Sequence, residues 1–86
     1  MEKVERNRLA ILEVLEKSTA PLSSPRIAQL LAHTGLTLSQ RAIRLYLQQL
    51  EQEGLTQSFG KRGHMITEQG RTEIHASQIP LRMGYL

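Results

Sequence analysis

The chain has 86 residues, 40% apolar and 22% charged, with a formal net charge of +3 and no cysteine. That is enough chain for one small core and not for two, and it excludes disulfides and thiolate metal sites. No run approaches the roughly 20 apolar residues that cross a bilayer, and the charged N-terminus does not lead into a signal-peptide core, so a cytoplasmic location is expected.

Residues 2 to about 17 have helical spacing, with Val4, Arg8, Ile11, Leu12 and Leu15 on one face and Val14 at its edge. Glu2–Arg6 and Glu13–Lys17 are favourably ordered i,i+4 pairs. Leu9 falls among Glu5, Glu13 and Glu16, as a lone exposed leucine or as a contact for a partner helix. Pro21 cannot continue a helix, and residues 20–22 read as a short edge strand, where proline is tolerated. Ser24 then caps a second helix with Pro25 at its first position. Ile27, Leu30 and Leu31 form its buried side, and Gly35 closes it in the left-handed conformation.

The third helix is the most informative stretch. Ser39 is its N-cap, Leu38 and Ile43 stand at staple positions, and Ala42, Ile43, Tyr46, Leu47 and Leu50 form an apolar stripe. Turning 100° per residue puts Arg41, Arg44, Leu45, Gln48 and Gln52 on the opposite side. No acidic residue occurs between positions 36 and 50. Gly54 ends the helix. Residues 55–59 and 64–67 are then short strands around a Gly60-Lys61-Arg62-Gly63 tip, with Leu55 and Ile66 facing the core. Thr67 caps a last helix, from 68 to about 77, in which Gly70 is a weak point by about 1 kcal/mol relative to alanine. Pro80 then interrupts an apolar tail of Ile79, Leu81, Met83, Tyr85 and Leu86. The chain divides into a domain at 1–78 and a tail, or start of a linker, at 79–86.

Charge follows the same division. Residues 1–18 hold four cations and four glutamates, whereas residues 36–66 hold Arg41, Arg44, Lys61 and Arg62 against Glu51 and Glu53 only. A positive field concentrated on one face is the footprint of a phosphate backbone. Arginine and glutamine carry the forked groups that match guanine and adenine edges in the major groove. An arginine-rich helix face is most often simply solvated; its occurrence beside a basic hairpin tip favours DNA. Tyr46, on the buried stripe, reads as core, and Leu45 either touches a thymine methyl or is an incidental exposed leucine.

The order helix, short strand, helix, helix, hairpin, helix is that of a winged helix-turn-helix, mainly α with a small β-hairpin. SSPRIAQLL, LSQRAIRLYLQQLEQEGL and GKRGHMITEQG together resemble the N-terminal domain of NrpR-type nitrogen regulators, a winged-helix family shared with the N-terminus of ribonuclease R. The most specific pieces are Ser39-x-Arg41-x-x-Arg44, Gly54-Leu55, and Gly63-x-x-Ile66-Thr67-x-x-Gly70. The chain departs from that pattern at Leu45-Tyr46, where members often have Tyr-His, and at His64, where they often have arginine. The resemblance implies a cytoplasmic transcriptional repressor of nitrogen-assimilation genes, whose effector, 2-oxoglutarate, binds in domains beyond this one. It also implies that Ser39, Arg41 and Arg44 belong to the recognition helix, and Gly60 and Gly63 to the wing.

The DNA-contacting set expected from these readings is Ser39, Gln40, Arg41, Arg44, Leu45 and Gln48 on the helix at 39–53, with Lys61, Arg62 and His64 on the wing at 60–64. The partner is double-stranded DNA, bound by a homodimer that pairs through the tail, the first helix around Leu9, or domains outside this chain. No catalytic, cofactor or metal site is expected. All eight acidic residues are glutamates, so a Ser-His-Asp triad cannot form. His33, His64 and His75 have no ligand spacing, and Gly60–Gly63 is too short for a phosphate loop. Two other uses of such a fold stay open. One is an RNA-binding accessory module of a ribonuclease-R-like nuclease, which calls for exposed aromatics. The other is a protein-interaction module, which calls for an apolar outer face on the third helix.

Overall fold

Among the described residues, four helices and one two-stranded hairpin enclose an aliphatic core; the computed structural model describes the backbone of residues 2–83 and the side chains of residues 5–76. The elements are α1 (Glu2–Glu16), α2 (Ser24–His33), α3 (Gln40–Gln52), β1 (Thr56–Ser58), β2 (His64–Ile66) and α4 (Glu68–Met83). This is the winged helix-turn-helix order that the sequence predicts. Ile11, Leu12 and Leu15 of α1 meet Ile27 and Leu31 of α2 and Ile43, Leu47 and Leu50 of α3, and Leu55, Ile66 and Ile74 close the remaining sides. Each is an aliphatic side chain whose truncation in a packed core costs about 2–5 kcal/mol.

The helix ends follow from local chemistry. The Ser39 hydroxyl accepts the Ala42 N–H at 3.1 Å, and Gly35 and Gly54 take φ of +92° and +82° just past α2 and α3. The cap of α2 is Ser23 rather than Ser24: Ser23 Oγ accepts the Arg26 N–H at 3.4 Å, and Pro25 sits one position deeper in the first turn. Ser24 is displaced from that role because its side chain is buried.

Three elements differ from their sequence reading. The edge strand at 20–22 is reduced to one antiparallel bridge, Leu22 with His64, closed by N–H···O bonds of 2.9 and 2.8 Å. Pro21, with no N–H, cannot extend it. The last helix runs to Met83, past Pro80. Proline removes one i→i−4 bond and kinks a helix, but it does not forbid helical dihedrals in the residues after it. Leu9 is half-buried rather than exposed. The tail side chains Ile79, Leu81, Met83, Tyr85 and Leu86 lie outside the described residues.

Arg8 and Glu53 join α1 to the end of α3 through a two-pronged ion pair, Nη1 donating to Oε2 at 2.8 Å and Nη2 to Oε1. Glu13 and Lys17 do not form the pair their spacing suggests; among the described residues Glu16 Oε2 instead lies 3.5 Å from His75 Nε2. In the wing, Thr56 pairs with Ile66, Gln57 with Met65 and Ser58 with His64. The tip is a single 3-10 turn, Gly60–Arg62. Thr67 locks the hairpin to what flanks it: its hydroxyl donates to the Gly54 carbonyl at 2.7 Å and accepts the Gly70 N–H at 3.0 Å.

Candidate nucleic-acid interface

The core stripe of α3 determines what its other side presents. With Ile43, Leu47 and Leu50 inside, Gln40, Arg41, Arg44, Leu45 and Gln48 all stand exposed, and Ser39, also exposed, opens the same face. Tyr46 belongs to the other set: it packs against the core, and its hydroxyl accepts Asn7 Nδ2–H from α1 at 3.2 Å. That bond fixes the ring between helices.

The acids at the far end of α3 are handled separately. The Arg8 guanidinium holds the Glu53 carboxyl below the usual carboxylate range, and Glu53 in turn raises the Arg8 pKa. Glu53 is thus neutralised by α1. Glu51 stays in a shallow cleft with Ser24, Arg44, Leu47, Gln48 and His64.

Lys61 and Arg62 are exposed on the 3-10 turn at the wing tip, as their place between two glycines suggests. His64 is not with them. It lies at the base of the wing, half-buried, its backbone bonded to Leu22 and its side chain in the cleft beside Arg44 and Gln48. Its Nδ1 is buried and has no partner within the described protein. Burial pushes the His64 pKa down, against a smaller upward pull from Glu51.

Stability therefore depends on pH through this ring. The unfolded imidazole titrates near 6.5, so between the lower folded pKa and 6.5 the unfolded chain binds more protons. The contribution is fully present above pH 6.5 and is lost as pH falls through the folded value. Urea midpoints at pH 7.5 and 5.5 are expected to differ less for His64→Gln than for the wild type, the other titrating groups cancelling in that comparison. Equal differences would show that the ring is as well solvated as in the unfolded chain.

Two exposed side chains outside the expected set were not singled out in the sequence. Arg26, exposed in the first turn of α2, donates to Gln29 Oε1 at 3.0 Å. The helix before a recognition helix crosses the DNA backbone, and a cation in a first turn with no acid is the signal that marked it. Phe59, 39% exposed beside the tip, carried no signal beyond being the chain's one phenylalanine.

Helix α2, a turn, the outward-facing α3 and a hairpin with a basic tip define a winged helix-turn-helix domain. The chain belongs to the ribonuclease R winged-helix domain family, whose family model matches residues 9–74. It is also 34% identical over 84 residues to the global nitrogen regulator NrpR of Methanocaldococcus jannaschii, covering 98% of this chain and 16% of that protein. The NrpR of Methanococcus maripaludis is 35% identical over 74 residues, 86% of this chain and 14% of its own length. The NrpRI of Methanosarcina mazei is 30% identical over 84 residues, 98% of this chain and 26% of its own. Both sides of the resemblance read from the sequence are borne out. The chain spans about a quarter or less of these curated relatives. No solved structure matches it at a significant level. No helix among the described residues is long and apolar enough to cross a membrane, and no group of three or more His, Cys, Asp or Glu side chains there is placed to hold a metal ion.

Proposed function

We propose that the chain is the duplex-DNA-reading domain of a transcriptional regulator, a repressor of nitrogen-related genes working in the cytoplasm, with no catalysis of its own. The observation that carries this is the exposed face of α3, where Arg41, Arg44, Leu45 and Gln48 stand together and the first acid, Glu51, comes only at the end of the helix, in the cleft beside Arg44 and Gln48. Its relatives are named as global nitrogen regulators. In this reading α3 enters the major groove. Arg41, Arg44 and Gln48 offer forked hydrogen-bond groups to base edges, and Ser39 and Gln40 face the backbone at the helix start. Lys61 and Arg62 reach phosphates or the flanking minor groove, Arg26 a phosphate on the other side, and His64 acts from the wing base beside Arg44.

A site is first selected from a randomised duplex library and then titrated beside a scrambled duplex. Arg44→Ala is expected to weaken binding to the selected site by ~1–3 kcal/mol and to relax base preference. Equal weakening on both duplexes would make Arg44 a phosphate-binding residue. Replacing Lys61 and Arg62 together with alanine lowers affinity for every sequence and flattens the salt dependence by ~0.9 in log–log slope for each phosphate no longer neutralised. An unchanged slope means that the tip points into solvent.

One short helix reads too few base pairs to find a single site in a genome. We therefore place two copies on half-sites roughly 34–36 Å apart. Residues 1–78 form the binding domain, and 79–86 lead into the pairing surface or to further domains. Half-burial of Leu9 leaves the first helix little apolar surface for pairing, which shifts that role to the tail or to domains beyond.

A second reading is favoured by Phe59, an exposed aromatic beside two cations, and by the family's ribonuclease R name. An aromatic of this kind stacks on an unpaired base. Titration with single-stranded RNA separates the two. RNA bound tighter than any duplex, with the difference abolished in Phe59→Ala, assigns the chain to RNA.

A further inference from the structure

The outward face of α3 has one apolar member. Leu45 is 55% exposed, and with Ala42, Tyr46 and Gln49, its neighbours at i−3, i+1 and i+4, it lines a shallow depression. These positions form one continuous stripe along the helix. One wall is held in place, since the Tyr46 hydroxyl is bonded to Asn7. Arg41 and Gln48, at i−4 and i+3, stand exposed along one flank of Leu45.

The setting of this depression limits what it fits. Surfaces that bind protein partners are contiguous apolar patches of several hundred Å², whereas here Leu45 is the one exposed large apolar side chain of α3, bordered by Ala42, Tyr46 and Gln49. What it matches is one methyl group presented within an otherwise polar, negatively charged surface. The major groove offers that group at C5 of thymine, beside the hydrogen-bonding edges that Arg and Gln read. Arg41, exposed one turn before Leu45, is the cation that complements a phosphate flanking such a methyl.

We infer that Leu45, with Ala42, Tyr46 and Gln49, is a seat for the C5-methyl of a pyrimidine, so that Leu45 sets preference at one base position by apolar contact. This rests on the reading of α3 as a major-groove helix. The chemistry is shared by thymine and 5-methylcytosine, and the test separates them. It also gives Leu45 a task distinct from that of its neighbours: Arg41, Arg44 and Gln48 discriminate by hydrogen bonds, Leu45 by removing a methyl from water.

The experiment uses the full 86-residue chain and the duplex selected from the randomised library. Each thymine is replaced singly by deoxyuridine, which deletes only the methyl. At one position wild-type affinity is expected to fall about three- to fivefold, the worth of one buried methyl-sized group. At that position 5-methylcytosine is expected to bind tighter than cytosine by the same factor, and the stronger of the thymine and 5-methylcytosine duplexes identifies the natural ligand. Leu45→Ala, at an exposed helical site where the fold tolerates it, is expected to bind all these duplexes alike, with an unchanged urea midpoint. Wild-type protein that binds thymine and deoxyuridine duplexes equally at every position overturns the inference while leaving DNA reading intact. So does a Leu45→Ala variant that keeps the full methyl effect, since another residue then reads it. If no duplex is bound better than a scrambled one, the reading of α3 fails first and this seat with it.

Discussion

Gly70→Ala is expected to destabilise the domain by about 1–3 kcal/mol, although alanine is the better helix former. In an open helix the change gains about 1 kcal/mol. Here the added Cβ falls well inside 3.0 Å of the Leu55 carbonyl oxygen and of Ile66 Cγ1. The carbonyl cannot retreat freely, because it accepts the Thr67 N–H at 3.0 Å. Gly70's own N–H is in turn held by the Thr67 hydroxyl. Overpacking a rigid contact costs about 1–3 kcal/mol, and a strained or broken hydrogen bond adds roughly 1 kcal/mol, so the clash exceeds the propensity gain. In a domain of this size each kcal/mol lowers the melting temperature by about 4–8 °C. Thermal and urea unfolding check the sign. An unchanged or raised midpoint would mean that the start of α4 stands further from the strand linker.

Gly63→Ala is the more severe change, at about 3–5 kcal/mol. Gly63 has φ +116° and ψ −148°, a region close to glycine-only, where another residue costs about 1–3 kcal/mol. The new Cβ also meets the backbone of Leu22 and Ser23 inside 3.0 Å, where the segment before α2 crosses the wing. The clash adds a similar overpacking cost, and its first casualty is the Leu22–His64 bridge. Hydrogen exchange at the Leu22 and His64 amides is expected to lose protection before the core does, and DNA affinity falls as the wing comes free. Gly60→Ala is the control. At φ +64° with nothing within 4 Å of its Cβ, it carries backbone strain alone, about 1–2 kcal/mol. Equal effects at Gly60 and Gly63 would show that the wing does not depend on its approach to Leu22.

These glycines mark where sequence reasoning stops. Gly70 reads locally as a flaw in a helix, and Gly63 as half of a turn. Both are places where two backbones pass closer than a Cβ allows, and nothing within a few residues of either says so. His64 is similar: beside Lys61 and Arg62 it reads as a third DNA-contacting residue of the wing, and only its bridge to Leu22, far earlier in the chain, sets it at the wing base.

Features that depend on residues within one helical turn of each other were legible from the chain alone. The stripe of Ile43, Leu47 and Leu50 makes Arg41, Arg44, Leu45 and Gln48 face outward, because a helix turns 100° per residue whatever surrounds it. The Ser39 cap and the positive φ at Gly35 and Gly54 are likewise local, set by unpaired backbone groups at helix ends. The burial of Ser24 beside the Ser23 cap, the reach of Arg8 across to Glu53, and the partial burial of Leu9 had to come from the folded molecule. Each of these depends on a distance between segments remote in sequence. Such distances are set by how side chains of all the elements fill one core together, which no local period or cap records.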